Sequence, residues 1–327
     1  MYDKIMVPTD GLGFDREVIR VALRIADKSG AKVRLVRVVS SARLLGMAPS
    51  IDGIAISAEA LQDERNGAQK ELEGFAAECR STSDADIAVD LLDGPIAEIL
   101  EGYAQRNKFD LIVISSLGRS AMSGFSLGSV TDSLIRHTQI PVLVVKTTPS
   151  YLNPRATEAF KRIVVPLDGS TLAEQIIPKV CSLATLEQSD VTLLHVMVPQ
   201  NRFRDETADP ALQWWDGDIA FSRAYLARVA ARMRRGGVQV TTDIVVGDNV
   251  AQAIADYAGT ERADLVAIAT HGRGGVARML RGSVADAVTR SSKTSMLVLR
   301  PERIAGKNGS TAHDEELHVL EPEPALS

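Results

Sequence analysis

A chain of 327 residues is long for one domain and suits two of about 150 residues, each able to bury its own core. Apolar residues at 45% and charged residues at 24% exclude an extensively disordered protein, and a net charge of −5 gives no overall field for holding nucleic acid or an anionic membrane. Cys79 and Cys181 form no C-x-x-C or zinc-like spacing, the opening MYDKIMVPTD lacks the features of a secretory signal, and no apolar run nears the ~18 residues of a membrane span. These features lead us to expect a cytoplasmic protein in a reducing compartment, with neither nucleic acid nor membrane as partner.

In chain order, KIMVP from Lys4 reads as a short buried strand, and REVIRVALRIADKSG as a helix closed by Gly30. KVRLVRVV is the second strand. A loop over 40–57 leads to a long helix rich in Ala, Glu and Leu, followed by the strand DIAVDLL, the helix PIAEILEGYAQRN and the strand DLIVIS. SVTDSLIRHT as a helix and PVLVVK as a strand close the first half. The second half repeats the order: RIVVP, a helix from Thr171, DVTLLHV, a helix over 213–235, VQVTTDIVV, NVAQAIADYAGT, DLVAIA, SVADAVTRSS and SMLVLR.

The two halves keep register, with Pro8 matching Pro166, Asp10 matching Asp168, Gly118 matching Gly272 and Gly128 matching Gly282. A period of about 150 residues marks a duplicated domain and not a solenoid unit. The expected division is a first copy over 1–147, a linker over 148–160, a second copy over 161–301 and a disordered, Gly-, Ser- and acid-rich tail over 302–327. Alternating strands and helices imply an α/β fold with two tandem five-stranded parallel open sheets, helices on both faces, and right-handed crossovers. In the order 3-2-1-4-5, the first and fourth strands are neighbours where the order reverses, and ligands of such sheets bind beyond the carboxyl ends of the strands at that point.

A repeated skeleton falls at that reversal. SSLGRSAMSGFSLGSV and ATHGRGGVARMLRGSV share a Gly, an Arg, eight variable residues and Gly-Ser-Val: Gly118, Arg119, Gly128, Ser129 and Val130, then Gly272, Arg273, Gly282, Ser283 and Val284. A helix start offers unpaired N–H groups and a partial positive charge, which suits phosphate, and glycine lets the backbone approach closely. The seryl hydroxyls add donors, and the arginines can meet outer phosphates. The plainer reading is a helix cap, since SVTD and SVAD both fit the capping box. Asp10 and Asp168, in VPTDG and VPLDG, can accept from ribose hydroxyls or cap the next helix.

The combination of P-x-D after the first strand, G-(nine residues)-G-S-V around the fourth and a closing PVLVV strand resembles the universal stress protein family, over both halves. The resemblance implies an adenine-nucleotide alpha-hydrolase-like fold and a stress-response or regulatory protein that binds ATP, with or without Mg, at two pseudo-symmetric sites. It assigns to the sites Pro8, Thr9, Asp10, Val38, Ser115, Gly118, Arg119, Gly128, Ser129 and Val130. In the second half it assigns Pro166, Leu167, Asp168, Val196, Ala269, Gly272, Arg273, Gly282, Ser283 and Val284. Adenine would lie near Val38 and Val196, ribose near the aspartates and Ser115 or Ala269, and phosphates on the later glycines. Ser115 and Ala269 stand where ATP-binding members carry glycine, a departure near the ribose. The resemblance also implies that the last strands of the halves pair within the chain, and it leaves a homodimer and an unidentified protein partner open.

Nothing in the sequence supplies a dedicated catalytic group. The histidines His137, His195, His271, His313 and His318 form no metal spacing and read as structural or exposed, and neither a nucleophile elbow nor a P-loop is present. The match of GRGGVA to the dinucleotide fingerprint is in the wrong place, after the fourth strand. An ATP-independent interaction scaffold and a slow ATPase are the alternative functions. Trp214 and Trp215 are read as anchoring a helix on the sheet or as part of a lid.

Overall fold

The computed structural model describes residues 2–10, 15–39, 58–116, 127–146, 159–199, 210–270 and 283–302. The first half runs β1 (Lys4–Pro8), α1 (Asp15–Ser29), β2 (Lys32–Val39), α2 (Ala58–Arg80), β3 (Ile87–Asp93), α3 (Ile96–Arg106), β4 (Leu111–Ser115), α4 (Ser129–His137) and β5 (Val142–Val145). The second runs β6 (Arg162–Pro166), a short 3-10 turn (Ala173–Ile176), α5 (Ile177–Glu187), β7 (Asp190–Met197), α6 (Pro210–Arg235), β8 (Gln239–Val246), α7 (Val250–Thr260), β9 (Leu265–Ala269), α8 (Ser283–Ser291) and β10 (Ser295–Leu299).

Each half has the order 3-2-1-4-5, as the sequence leads one to expect, and the two sheets are joined into one of ten strands, β3-β2-β1-β4-β5-β10-β9-β6-β7-β8. The join is antiparallel: Val142 faces Val298, Leu143 faces Leu297 and Val144 faces Met296. The closing strands therefore protect each other's edge, and among the described residues β3 and β8 are the outer strands of the sheet.

The near-continuous apolar strands follow from burial on both faces. Ile5 and Val7 of β1 point into one core with Val33, Leu35, Leu111 and Val113, while Met6 points into the other with Val36, Ile112 and Ile114. Helices α1, α2, α5 and α6 cover the first core through residues such as Ile19, Leu72, Val180 and Leu226. On the opposite face α3, α4, α7 and α8 contribute Leu100, Leu134, Ile254 and Val288.

Two expected boundaries shift for local reasons. The helix expected from Thr171 begins as the 3-10 turn because Pro178, in the first turn of α5, has no N–H to continue an α-helical ladder backward. The helix expected from Gln213 starts at Pro210, where the ring's fixed φ suits a first helical position. Trp214 and Trp215 fall within α6, but their side chains lie outside the described residues, as do 303–327 of the expected tail and 148–158 of the expected linker. Phe160, at the linker's far end, is buried in the first core under the Arg24 guanidinium, 5.0 Å from its ring centre.

Polar contacts fasten the seam on both faces. On one, the fully buried carboxylate of Glu187 in α5 accepts from Arg24 Nε at 3.1 Å and Lys28 Nζ at 2.9 Å, both on α1. On the other, Asp132 and Arg136 of α4 meet Asp286 and Arg290 of α8. Each half also caps the other's helix: Lys146 Nζ donates to the Thr289 carbonyl at 2.8 Å, and Arg300 Nη1 to the His137 carbonyl at 3.0 Å.

Candidate functional site

The crevice at each reversal of strand order is opened by a proline. The pairing of β1 with β4 covers Ile5–Leu111 and Met6–Ile112 and stops, although β1 continues to Pro8 and β4 to Ser115. Thr9 donates its N–H to the Val36 carbonyl of β2 at 2.9 Å, so the preceding imide nitrogen faces β4, where proline has no hydrogen to offer. The second half repeats this: β6 pairs with β9 only at Ile163–Leu265 and Val164–Val266, and Leu167 N–H donates to Leu194 at 2.8 Å. Pro166 thus faces β9 as Pro8 faces β4.

Thr9 and Leu167 are buried at these strand ends, and Asp10 and Asp168 are half-buried just beyond them. Asp168 Oδ1 accepts from Ser170 N–H at 2.9 Å, turning the chain through Gly169, whose φ of 86° lies in the left-handed region. Ser170 Oγ in turn accepts from Ala173 N–H at 3.1 Å, so here the serine caps the following turn while the aspartate orders the bend. Val38 and Val196 point toward the second core and are partly buried.

Around the end of β4 the chain is stapled. Gly128 N–H donates to the Ser116 carbonyl at 3.0 Å, and the buried hydroxyl of Thr131 donates to the Ser115 carbonyl at 2.8 Å. These bonds hold the start of α4 against the carboxyl end of β4, the strand beside β1. Gly128, and not Ser129, is the N-cap residue, with φ −59° and ψ 142°, and no side chain caps the helix. The capping box expected from SVTD is therefore not formed: Ser129 is exposed at the first helical position, and Asp132 turns to Arg136 and Arg290. The first-turn N–H groups, which have no intrahelical partner, follow a residue without a side chain.

The second half matches in part. Ala269 and Thr270 are buried at the end of β9, Thr270 N–H donates to Leu299 at 2.9 Å, and α8 begins at Ser283 with Val284 partly buried. Ala285 stands where Thr131 stands in the first half, so this helix lacks the hydroxyl staple. Gly118, Arg119, Gly272, Arg273, Gly282 and the Ser283 side chain lie outside the described residues.

Thr131 was not singled out from sequence, because a threonine within a helix carries no local signal of a bond to a strand. His195 joins β7 to the P-x-D turn: its Nδ1 donates to the Leu167 carbonyl at 2.7 Å, a structural role consistent with its reading from sequence. Arg37 takes the matching place in the first half and pairs with Glu71 at 2.7 Å. Among the described residues, no group of three or more His, Cys, Asp or Glu could hold a metal ion, and no helix is long and apolar enough to cross a membrane.

A doubly wound sheet of this order, with paired reversals and helices on both faces, is the adenine-nucleotide alpha-hydrolase-like architecture. The chain belongs to the universal stress protein family, as a tandem two-domain member: the family model, Universal stress protein family, matches residues 1–146 and again 159–300. A universal stress protein of Methanocaldococcus jannaschii is 33% identical over 147 residues, 45% of this chain and 83% of that protein. One of Mycolicibacterium smegmatis is 25% identical over 301 residues, 91% of this chain and 97% of that protein. Matches to other mycobacterial relatives span 61% to 66% of their length. The crystal structure of a universal stress protein from Archaeoglobus fulgidus superposes with a TM-score of 0.62 at 19% identity, covering 91% of this chain and 96% of that one, a likeness of fold.

Proposed function

We propose that the protein is a nucleotide-responsive regulator with two ATP sites, one in each crevice between the first and fourth strands of a half, in units at 1–147 and 161–301. In each, the phosphates would lie on the N–H groups at the start of α4 or α8, the ribose on Asp10 or Asp168, and the adenine edge on the backbone by Val38 or Val196. The observation that carries this reading is Gly128: an N-cap without a side chain, on a helix stapled to the end of β4, leaves first-turn donors for an anion one strand from a carboxylate. The donor set suits an oligophosphate with its metal brought by the nucleotide. The sequence carries neither a nucleophile elbow nor a P-loop, which favours binding over turnover.

The test is calorimetric titration of the chain with ATP, together with mass spectrometry of small molecules released from freshly purified protein. Gly128→Val and Gly282→Val are expected each to remove one site. The backbone of Gly128 is in a region open to any residue, so the fold should survive that change. No heat with ATP and no co-purified nucleotide would instead support the interaction scaffold.

A further inference from the structure

The last described residue, Glu302, sits beside a basic helix face. Pro301 is buried, and Gln175 of the 3-10 turn holds Glu302 at two points: Gln175 Nε2 donates to the Glu302 carbonyl at 2.9 Å, and the Glu302 N–H donates to Gln175 Oε1 at 2.8 Å. The preceding residue, Glu174, is the carboxylate that α6 reaches with Arg232 Nη2 at 2.6 Å and Arg228 Nη2 at 3.4 Å. On the exposed side of α6 a row of alanines, Ala220, Ala224, Ala227 and Ala231, runs between Arg223 on one flank and Phe221, Arg228 and Arg235 on the other. Arg228 and Arg232 share one carboxylate, Arg234 turns to the Val240 carbonyl, and among the described residues Arg223 and Arg235 have no ion pair. The face therefore keeps a positive surplus over Glu174 and Asp218.

We infer that the acidic segment 314–323 of this chain docks on the arginine face of α6. Asp314, Glu315, Glu316, Glu321 and Glu323 put five carboxylates into ten residues, with no Lys or Arg beyond Lys307, and Leu317, Val319 and Leu320 among them can cover the exposed Phe221. Charge also selects the helix. The first-half counterpart, α2, carries six carboxylates against three cations and repels such a segment, whereas α6 carries five arginines against two aspartates. The reach is sufficient: the eleven residues 303–313 extend up to about 36 Å, and Phe221 and Arg235 lie about 21 Å apart along α6. Exposed ion pairs are individually weak, so the tether decides the outcome. At this length it holds the segment at about millimolar effective concentration, enough to form a contact whose strength between separate pieces is only about 0.1 mM.

Zero-length carbodiimide coupling in the full chain tests this. Arg223→Lys and Arg235→Lys each keep the charge and place an amine on the face. Peptide mass spectrometry is expected to find that amine joined to a carboxylate between Asp314 and Glu323 of the same chain. The yield should fall several-fold as ionic strength rises from about 0.1 M to about 1 M, where screening shortens from ~10 Å to ~3 Å. Mixing isotope-labelled with unlabelled protein tells links within a chain from links between chains. Independently, a glutamate-specific protease should cut at Glu315, Glu316 and Glu321 several-fold faster when Arg223→Glu and Arg235→Glu are combined, with the melting temperature little changed because both side chains are exposed. New amines that join no carboxylate of 314–323, links found only between chains, or cleavage indifferent to the charge reversal each overturn the inference.

Discussion

Arg290 of α8 reaches across the seam between the halves to Asp132 of α4, Nη2 to Oδ1 at 2.9 Å, while also holding Asp286 one turn back on its own helix. Asp132 receives Arg136 from its own helix at 2.6 Å, and Arg136 approaches Asp286 at 4.0 Å. Two carboxylates and two guanidiniums therefore alternate around the local two-fold, and both helices begin at the candidate sites. Arg290→Gln is expected to destabilise the chain by about 1 kcal/mol, a figure kept small because the side chains are partly solvated. Urea unfolding of wild type and variant at low and high salt measures it; the difference should shrink as salt rises.

On the opposite face, Glu187 offers a sharper test. Its carboxylate is fully buried between the largely buried Arg24 and the more exposed Lys28, so removing it takes an acceptor from both cations at once. Glu187→Ala is expected to cost about 2–3 kcal/mol, below the scale for breaking a fully buried pair because Lys28 is partly solvated. Glu187→Gln should cost less, because the amide oxygen still accepts one of the two donors. Equal losses in the two variants would show that the charge is not what the site requires.

Burial holds the Lys146 ammonium down to about 8, from an ordinary 10.5. Folding therefore disfavours the charged form, a penalty present in full below pH 8 and relieved as the pH climbs from 8 toward 10.5, where the unfolded chain binds more protons than the native one. The residue should make stability rise with pH across that window. Lys146→Met removes this slope along with the bond to the Thr289 carbonyl. The melting-temperature difference, wild type minus variant, should increase between pH 8 and 10, and a flat difference would show the ammonium to be solvated.

Much of the architecture was legible because burial on both sheet faces writes near-continuous apolar residues into β4, β5, β9 and β10, and because the repeat gives each reading twice. Alternation implied parallel strands and crossovers, and the order 3-2-1-4-5, taken as a premise, placed the P-x-D and glycine motifs together. Less legible were features fixed by tertiary contact. The sequence SVTD satisfies the capping box locally, yet Asp132 is drawn to Arg290 of the other half and the cap moves to Gly128. Glu187 looks like an ordinary helix-end glutamate until α1 brings Arg24 and Lys28 onto it.

Thr131 distinguishes the two candidate sites. Its hydroxyl is buried and donates to the Ser115 carbonyl, fixing α4 to β4, whereas Ala285 gives α8 no such bond. Thr131→Val keeps the volume and removes the donor, and is expected to destabilise the first half by about 1–2 kcal/mol. On the nucleotide reading it also loosens the position of the phosphate-binding turn in that half alone. In a Gly282→Val background, where only the first site can bind, the Thr131→Val change should raise the dissociation constant for ATP several-fold. In a Gly128→Val background it should leave the remaining affinity unchanged. Equal losses in both backgrounds would mean that the substitution acts through the shared sheet and not through the start of α4.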